Sequence, residues 1–155
     1  YPTVSADAIA RSVFESPDVQ AELAAILGAS APITREQVLQ ALVLPSVRRD
    51  LDRLTHPRIL SQLMASSATF HEVPLLFEAC IWARYDEIWV VTCGPEEQFR
   101  RLQERVGAPH ARKLIGSQLQ TLVKVPFASI VIRTNEPEQS VLKVVRSQAK
   151  RVAGG

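Results

Sequence analysis

His71-Glu72-Val73-Pro74-Leu75-Leu76-Phe77-Glu78, followed by the apolar run Ile88-Trp89-Val90-Val91, decides the fold. Thr69 to Leu76 and Glu87 to Thr92 are short, rich in β-branched, aromatic and aliphatic residues, and read as buried strands. Pro lacks a backbone donor and fixes φ, so Pro74 belongs at a strand end. Leu75 and Leu76 then make an apolar wall, and Glu78 puts a carboxylate where the strand stops. Ligands of open α/β sheets bind just outside the C-terminal ends of strands, so the segment reads as a pocket wall. Taken alone, it also fits an ordinary strand-to-helix loop.

Working outward, the punctuation is helical. Downstream, Gly94-Pro95 ends the second run, and Glu96 to Arg105 is a charged helix with acids first and bases last, as the macrodipole favours. Gly107 closes it, and Ala111 to about Lys124 reads as a second basic helix. Phe127 to Ile132 reads as another strand, and Glu136 to about Val152 as a helix with Val141, Val144 and Val145 as its buried stripe. Upstream, Tyr1 to Ala6 reads as a short strand with Asp7 at its end, and Ala8 to Phe14 has helical spacing. Ser16-Pro17-Asp18 starts a helix that runs through Leu23, Ile26 and Leu27 and stops at Gly28. Thr34-Arg35-Glu36-Gln37 is a capping box ahead of Val38, Leu39, Leu42 and Val43. Pro45-Ser46 opens a further helix that ends at His56-Pro57. The order of elements predicts an α/β fold, a parallel sheet with helices on its faces.

The 155 residues suffice for one domain with a real core, and 46% hydrophobic with 22% charged residues argues against disorder. A net charge of +2 makes no case for a nucleic-acid or membrane surface, and the apolar runs are too short to span a bilayer. The opening Tyr1-Pro2-Thr3-Val4 has no Met and no basic segment, so we expect no signal peptide and a fragment, processed or renumbered chain. Cys80 and Cys93 lack metal-ligand spacing and are expected to be buried reduced thiols of a cytosolic protein.

Three groups can carry chemistry. Asp7 either accepts a proton from a substrate hydroxyl, binds a metal through water, or caps the next helix. Gln98, Arg101 and Arg105 share one helix face, with Arg100, Arg112 and Lys113 adding charge; this is either a phosphate clamp or a solvated face. His56 at a helix end is either a cap or packed residue or a site residue, and no His, Cys or carboxylate set has zinc spacing. None of the six glycines sits in a Gly-x-x-x-x-Gly-Lys-Ser/Thr loop or a Gly-x-Ser-x-Gly elbow.

Taken in order, these residues resemble the dephospho-coenzyme A kinase family. Val4-Ser5-Ala6-Asp7-Ala8-Ile9-Ala10-Arg11 is similar to V-x-D-A-D-x-I-A-R, and Ile33-Thr34-Arg35-Glu36-Gln37-Val38 to L-x-R-x-x-L. His56-Pro57-Arg58-Ile59 matches H-P-x-I. Val73-Pro74-Leu75-Leu76-Phe77-Glu78 matches V-P-L-L-F-E, the most specific of the set. Gln98 to Arg105 matches Q-x-x-R-x-x-x-R, and Gln118 and Lys124 fit the later lid positions.

The resemblance implies a P-loop kinase that transfers the γ-phosphoryl of ATP to the ribose 3′-hydroxyl of dephospho-CoA, using Mg²⁺, in the last step of coenzyme A synthesis. It implies a cytoplasmic enzyme of small-molecule substrates, with no nucleic-acid or membrane partner. A nucleotide core would comprise 1–15, 67–95 and 126–155, a helical CoA-binding region 16–66, and a lid 96–125. Asp7 would be the general base and Arg101 the lid arginine on the transferred phosphoryl. Arg11, His56, Pro57, Leu75, Leu76 and Glu78 would bind the acceptor, and Arg105, Gln118 and Lys124 would be further lid contacts. No residue is implied as a metal ligand.

The family's first strand, P-loop and following helix are expected ahead of Tyr1, so the 155 residues alone are expected to be inactive and the intact enzyme active. Ser5 stands where the family has the first Asp of D-A-D, and Val106 where an Asp follows the second lid Arg. Ala128-Ser129-Ile130-Val131-Ile132-Arg133-Thr134-Asn135 lacks both acids of A-D-x-V-I-x-N. Two alternatives stand beside this reading. One is a non-catalytic relative without a P-loop that binds a nucleotide or a protein partner. The other is a different nucleotide kinase, which would share the basic lid but not the Pro-Leu-Leu-Phe-Glu wall.

Overall fold

Thr3–Ser5 (β1) pairs in parallel with Phe70–Glu72 (β2), with Val4 opposite His71 and Ser5 opposite Glu72. This pair belongs to the first of two units, Tyr1–Pro74 and Leu75–Gly155, in a computed structural model that describes residues 1–154. Four helices complete the first unit: Ala6–Glu15 (α1), Pro17–Leu27 (α2), Arg35–Ala41 (α3) and Pro45–Ala65 (α4). Val13 of α1, Val19 and Leu23 of α2, and Leu51 and Leu54 of α4 meet in a core with Ile33, which lies in the loop ahead of α3. Each large aliphatic side chain removed from water in this way contributes about 1.5–3 kcal/mol.

Local chemistry sets the helix ends. The Thr34 hydroxyl accepts from the Gln37 N–H at 3.2 Å, and the Gln37 side chain accepts from the Thr34 N–H at 2.8 Å, closing the capping box. Gly28 ends α2 at φ 61°, where a side chain would be strained. Ser16 differs from expectation. Its hydroxyl donates to the Val13 carbonyl at 2.7 Å and makes no side-chain cap on α2. The expected break at His56-Pro57 is absent, and α4 continues through Pro57 to Ala65. Leu54 and Leu63, on either side of Pro57, are both buried, which offsets the lost Pro57 donor. The Arg58 guanidinium donates to the Leu54 carbonyl at 2.8 Å in the same turn.

In the second unit Trp89–Thr92 (β3) pairs in parallel with Ile130–Arg133 (β4), Val90 opposite Val131. Its helices are Pro95–Val106 (α5), Ala108–Gly116 (α6), Thr121–Lys124 (α7) and Glu138–Ala153 (α8); α5 packs against α6, and α8 against β4. Ile88, Val90, Ala111, Ile132 and Ala149 are buried.

Several boundaries shift. Only Phe70–Glu72 of the expected Thr69–Leu76 strand is extended; Pro74 to Cys80 winds into turns. There the carbonyls of Leu75, Leu76 and Phe77 accept from the N–H groups of Ala79, Ile81 and Cys80. Leu75 and Leu76 therefore stand on a turn and not on a strand. The single helix expected over Ala111–Lys124 is two, because Ser117 turns back, its hydroxyl donating to the Leu114 carbonyl at 2.8 Å. Phe127 lies in a 3-10 turn over Val125–Phe127 with Pro126 inside it, so the strand starts later. On α8, Val144 is exposed; Ala149 is buried, and Val141 and Val145 partly so. Cys80 is exposed rather than buried, and Cys93 is half-buried; both are free thiols.

Candidate functional site

In the first unit the end of β1 runs straight into α1. Asp7 therefore falls in the first helical turn, where the macrodipole favours a carboxylate. It is exposed and takes no protein partner among the described residues, so it is not the helix cap, a position held by Ser5. Arg11 follows four residues later on the same helix face, also exposed. The register places Glu72 beside Ser5, so a second exposed carboxylate stands at the same end of the parallel pair as Asp7. His56 and Pro57 are exposed on α4, and the His56 imidazole faces Asp52 at 3.5 Å. His56 is thus neither a cap nor a packed core residue.

In the second unit Leu75 is exposed and Leu76 half-buried. Phe77 and Trp82 both pack on Phe127, with ring centroids 5.7 and 5.0 Å apart. Glu78 Oε1 accepts from the Lys124 ammonium at 2.7 Å and from the Leu119 N–H at 2.9 Å. Burial opposes the Glu78 charge, but the Lys124 bond and backbone N–H groups outweigh it, holding the carboxyl below its usual range. Gln118 is exposed beside Leu119.

The basic helix face is strongly knit. Arg101 donates from Nε to Glu97 Oε1 at 2.7 Å and from Nη2 to the Thr134 carbonyl at 3.0 Å. Arg100 grips both Glu97 oxygens, at 2.7 and 2.6 Å, and reaches Glu104 at 2.7 Å. Arg112 lies over the Phe99 ring, 5.6 Å from its centroid. Arg105, in the last turn of α5, is exposed. Arg100 and Arg112 are thus engaged by the protein, and Arg101 is held with Nη1 free of protein partners among the described residues. Sequence reading missed Glu97 and Thr134. The Glu97 signal was its spacing, i+3 to Arg100 and i+4 to Arg101; the Thr134 contact spans the fold and left no local mark.

Among the described residues, no three His, Cys, Asp or Glu side chains gather to hold a metal ion, and no helix is long and apolar enough to cross a membrane.

The first unit thus presents an exposed carboxylate where a parallel strand enters a helix, and the second a helix that holds one guanidinium at a strand end. A family model of dephospho-CoA kinase matches residues 1–140. The dephospho-CoA kinase of Synechocystis is 43% identical over 75 residues, 47% of this chain and 37% of that protein. That of Geobacter metallireducens is 33% identical over 122 residues, 69% of this chain and 61% of that protein. The solved dephospho-CoA kinase of Campylobacter jejuni, 18% identical, superposes over 99% of this chain and 86% of its own with a TM-score of 0.69, which shows the shared α/β fold. The chain belongs to the dephospho-CoA kinase family. It spans less than two thirds of the length of these two curated relatives.

Proposed function

We propose that the protein carrying this chain transfers the γ-phosphoryl of ATP to the ribose 3′-hydroxyl of dephospho-CoA, giving coenzyme A, in the cytoplasm. Arg101 carries the reading: its Nη1 edge is open while its Nε and Nη2 are fixed by Glu97 and the Thr134 carbonyl. Phosphoryl transfer asks the protein for positioned positive charge far more than for covalent chemistry. In this reading Arg101 meets the charge spread over the transferred phosphoryl, and Asp7 takes the proton from the attacking hydroxyl. Asp7 suits that part by being exposed and unpaired at a strand end.

The domain division of the family is proposed with it: core 1–15, 67–95 and 126–155, CoA-binding helices 16–66, lid 96–125. Arg11, His56, Pro57, Leu75, Leu76 and Glu78 are proposed to bind the acceptor, and Arg105, Gln118 and Lys124 to assist the lid. Glu78 and Lys124 do so as a bonded pair. Mg²⁺ in phosphate sites needs only one or two carboxylates besides phosphate oxygens and water, and Asp7 is a donor of that kind. When bound, the ion would screen phosphate charge.

The test is ADP release by the full-length gene product with ATP and dephospho-CoA. Asp7→Asn is expected to lower turnover about 100-fold or more, and Arg101→Ala about 1,000-fold. Both variants keeping wild-type turnover rejects the roles. A wild type that binds nucleotide and transfers nothing supports the non-catalytic alternative.

A further inference from the structure

We infer that Glu97 is a positioning residue that holds Arg101 in place for phosphoryl transfer, an inference that rests on the kinase reading above.

Five groups form one continuous chain. Glu104 accepts from Arg100 Nη1 at 2.7 Å, and Arg100 closes a two-point fork on Glu97. Glu97 Oε1 then takes Arg101 Nε at 2.7 Å, and Arg101 Nη2 reaches the Thr134 carbonyl at 3.0 Å. Both ends sit on hydrogen-bonded backbone. Glu97 sits in the first turn of α5, and Thr134 follows β4, its N–H bonded to the Thr92 carbonyl at 2.8 Å. A long arginine side chain that is free in solution samples many rotamers, and ordering it at the moment of reaction costs entropy. Here the ordering is done beforehand, because two of three guanidinium nitrogens are bonded to groups of the protein itself. The arrangement also explains a composition that otherwise opposes phosphate binding: two carboxylates set among the lid arginines. They cancel the charge of Arg100 and part of that of Arg101, and in exchange they define where Nη1 points.

The experiment compares wild type, Glu97→Gln, Glu97→Ala, Arg101→Ala and the double variant Glu97→Ala/Arg101→Ala in the full-length protein. Glutamine keeps the accepting oxygen, so Glu97→Gln should stay within about fivefold of wild-type kcat, whereas Glu97→Ala should lose about 10- to 100-fold in kcat with KM for ATP changed less than about threefold. The double variant should be no slower than Arg101→Ala, since Glu97 acts only through that side chain. Solvent exchange of the Arg101 Nε–H, followed by NMR, should be slow in wild type and Glu97→Gln and fast in Glu97→Ala. Losses that multiply in the double variant, an unchanged kcat in Glu97→Ala, or an Nε–H that exchanges equally fast in all three proteins overturns the inference while an active wild type leaves the kinase reading standing. A wild type without transfer activity overturns both.

Discussion

Glu78 and Lys124 lie 46 positions apart in sequence, and their charged atoms meet at 2.7 Å with only 19% and 14% of the side chains exposed. The pair ties the turn that follows Pro74 to the short helix α7, two segments with little regular structure of their own. The second Glu78 oxygen, Oε2, is buried with no hydrogen-bond partner, so the carboxylate depends on Lys124 and the Leu119 N–H for its compensation. The Lys124 ammonium, expected as a lid contact, is thus paired with a carboxylate of the protein itself.

Removing one partner should hurt more than removing both. Lys124→Met leaves a carboxylate largely buried and unpaired, which is expected to destabilise the protein by about 3 kcal/mol. Adding Glu78→Leu should recover most of that loss, because two apolar groups of similar size no longer need each other. Urea unfolding of the three variants measures this, and a double variant less stable than Lys124→Met contradicts it. The pH dependence has a definite sign. The Glu78 carboxyl titrates below its ordinary 4.5 in the folded protein, so its contribution is present above that value and is lost as pH falls through the lowered one.

Glu97 should titrate lower still. The Arg100 bond first, and the Arg101 bond second, bring its carboxyl down from 4.5 to about 2. Since the folded value is depressed, the network is intact at pH 4.5 and above and weakens only as pH approaches about 2. Carbon-detected NMR of the Glu97 carboxyl reads this directly. A midpoint near 4.5 would show that neither guanidinium is bound in solution.

Leu23 is 1% exposed at the centre of the first unit's core, and Leu39 on α3 is 60% exposed. Leu23→Ala is expected to cost about 2–5 kcal/mol, through lost burial and the cavity left behind. Leu39→Ala should stay within about 0.5 kcal/mol of wild type. Equal losses in the two variants would mean that α3 is packed against something in solution.

What the sequence made legible is what short-range chemistry determines. The Thr34–Gln37 capping box and the Gly28 and Gly107 stops depend on neighbours within four residues, and all three stand where they were read. The α/β class followed from their order. Pro57 misled because the helix penalty is local while its compensation, the burial of Leu54 and Leu63, is tertiary. Val144 misled for the opposite reason: a run of valines hid the spacing Val141, Val145, Ala149, which alone follows one helix face. Asp7, Arg101 and Glu78 were legible as residue types in a familiar order. Their partners were not, since Thr134 and Lys124 come from distant segments and Glu97 looked like an ordinary acid at a helix start.

The start of α5 offers the sharpest backbone test. Gly94 links β3 to α5 at φ 84° and ψ 158°, a region that residues with a side chain essentially never occupy. A Cβ placed there would meet nothing within 4 Å, so any penalty for Gly94→Ala comes from the backbone alone. It is expected to be about 1–3 kcal/mol. Gly116 is the matched control, because its surroundings are equally open and its φ lies outside the left-handed range. Gly116→Ala at the end of α6 should be neutral or stabilising by up to about 1 kcal/mol, since alanine restricts the unfolded chain without straining the folded one. Chemical denaturation midpoints of the two variants should therefore move in opposite directions, or only the first should move. A Gly94→Ala protein as stable as wild type would mean that the link between β3 and α5 takes up another conformation at no cost.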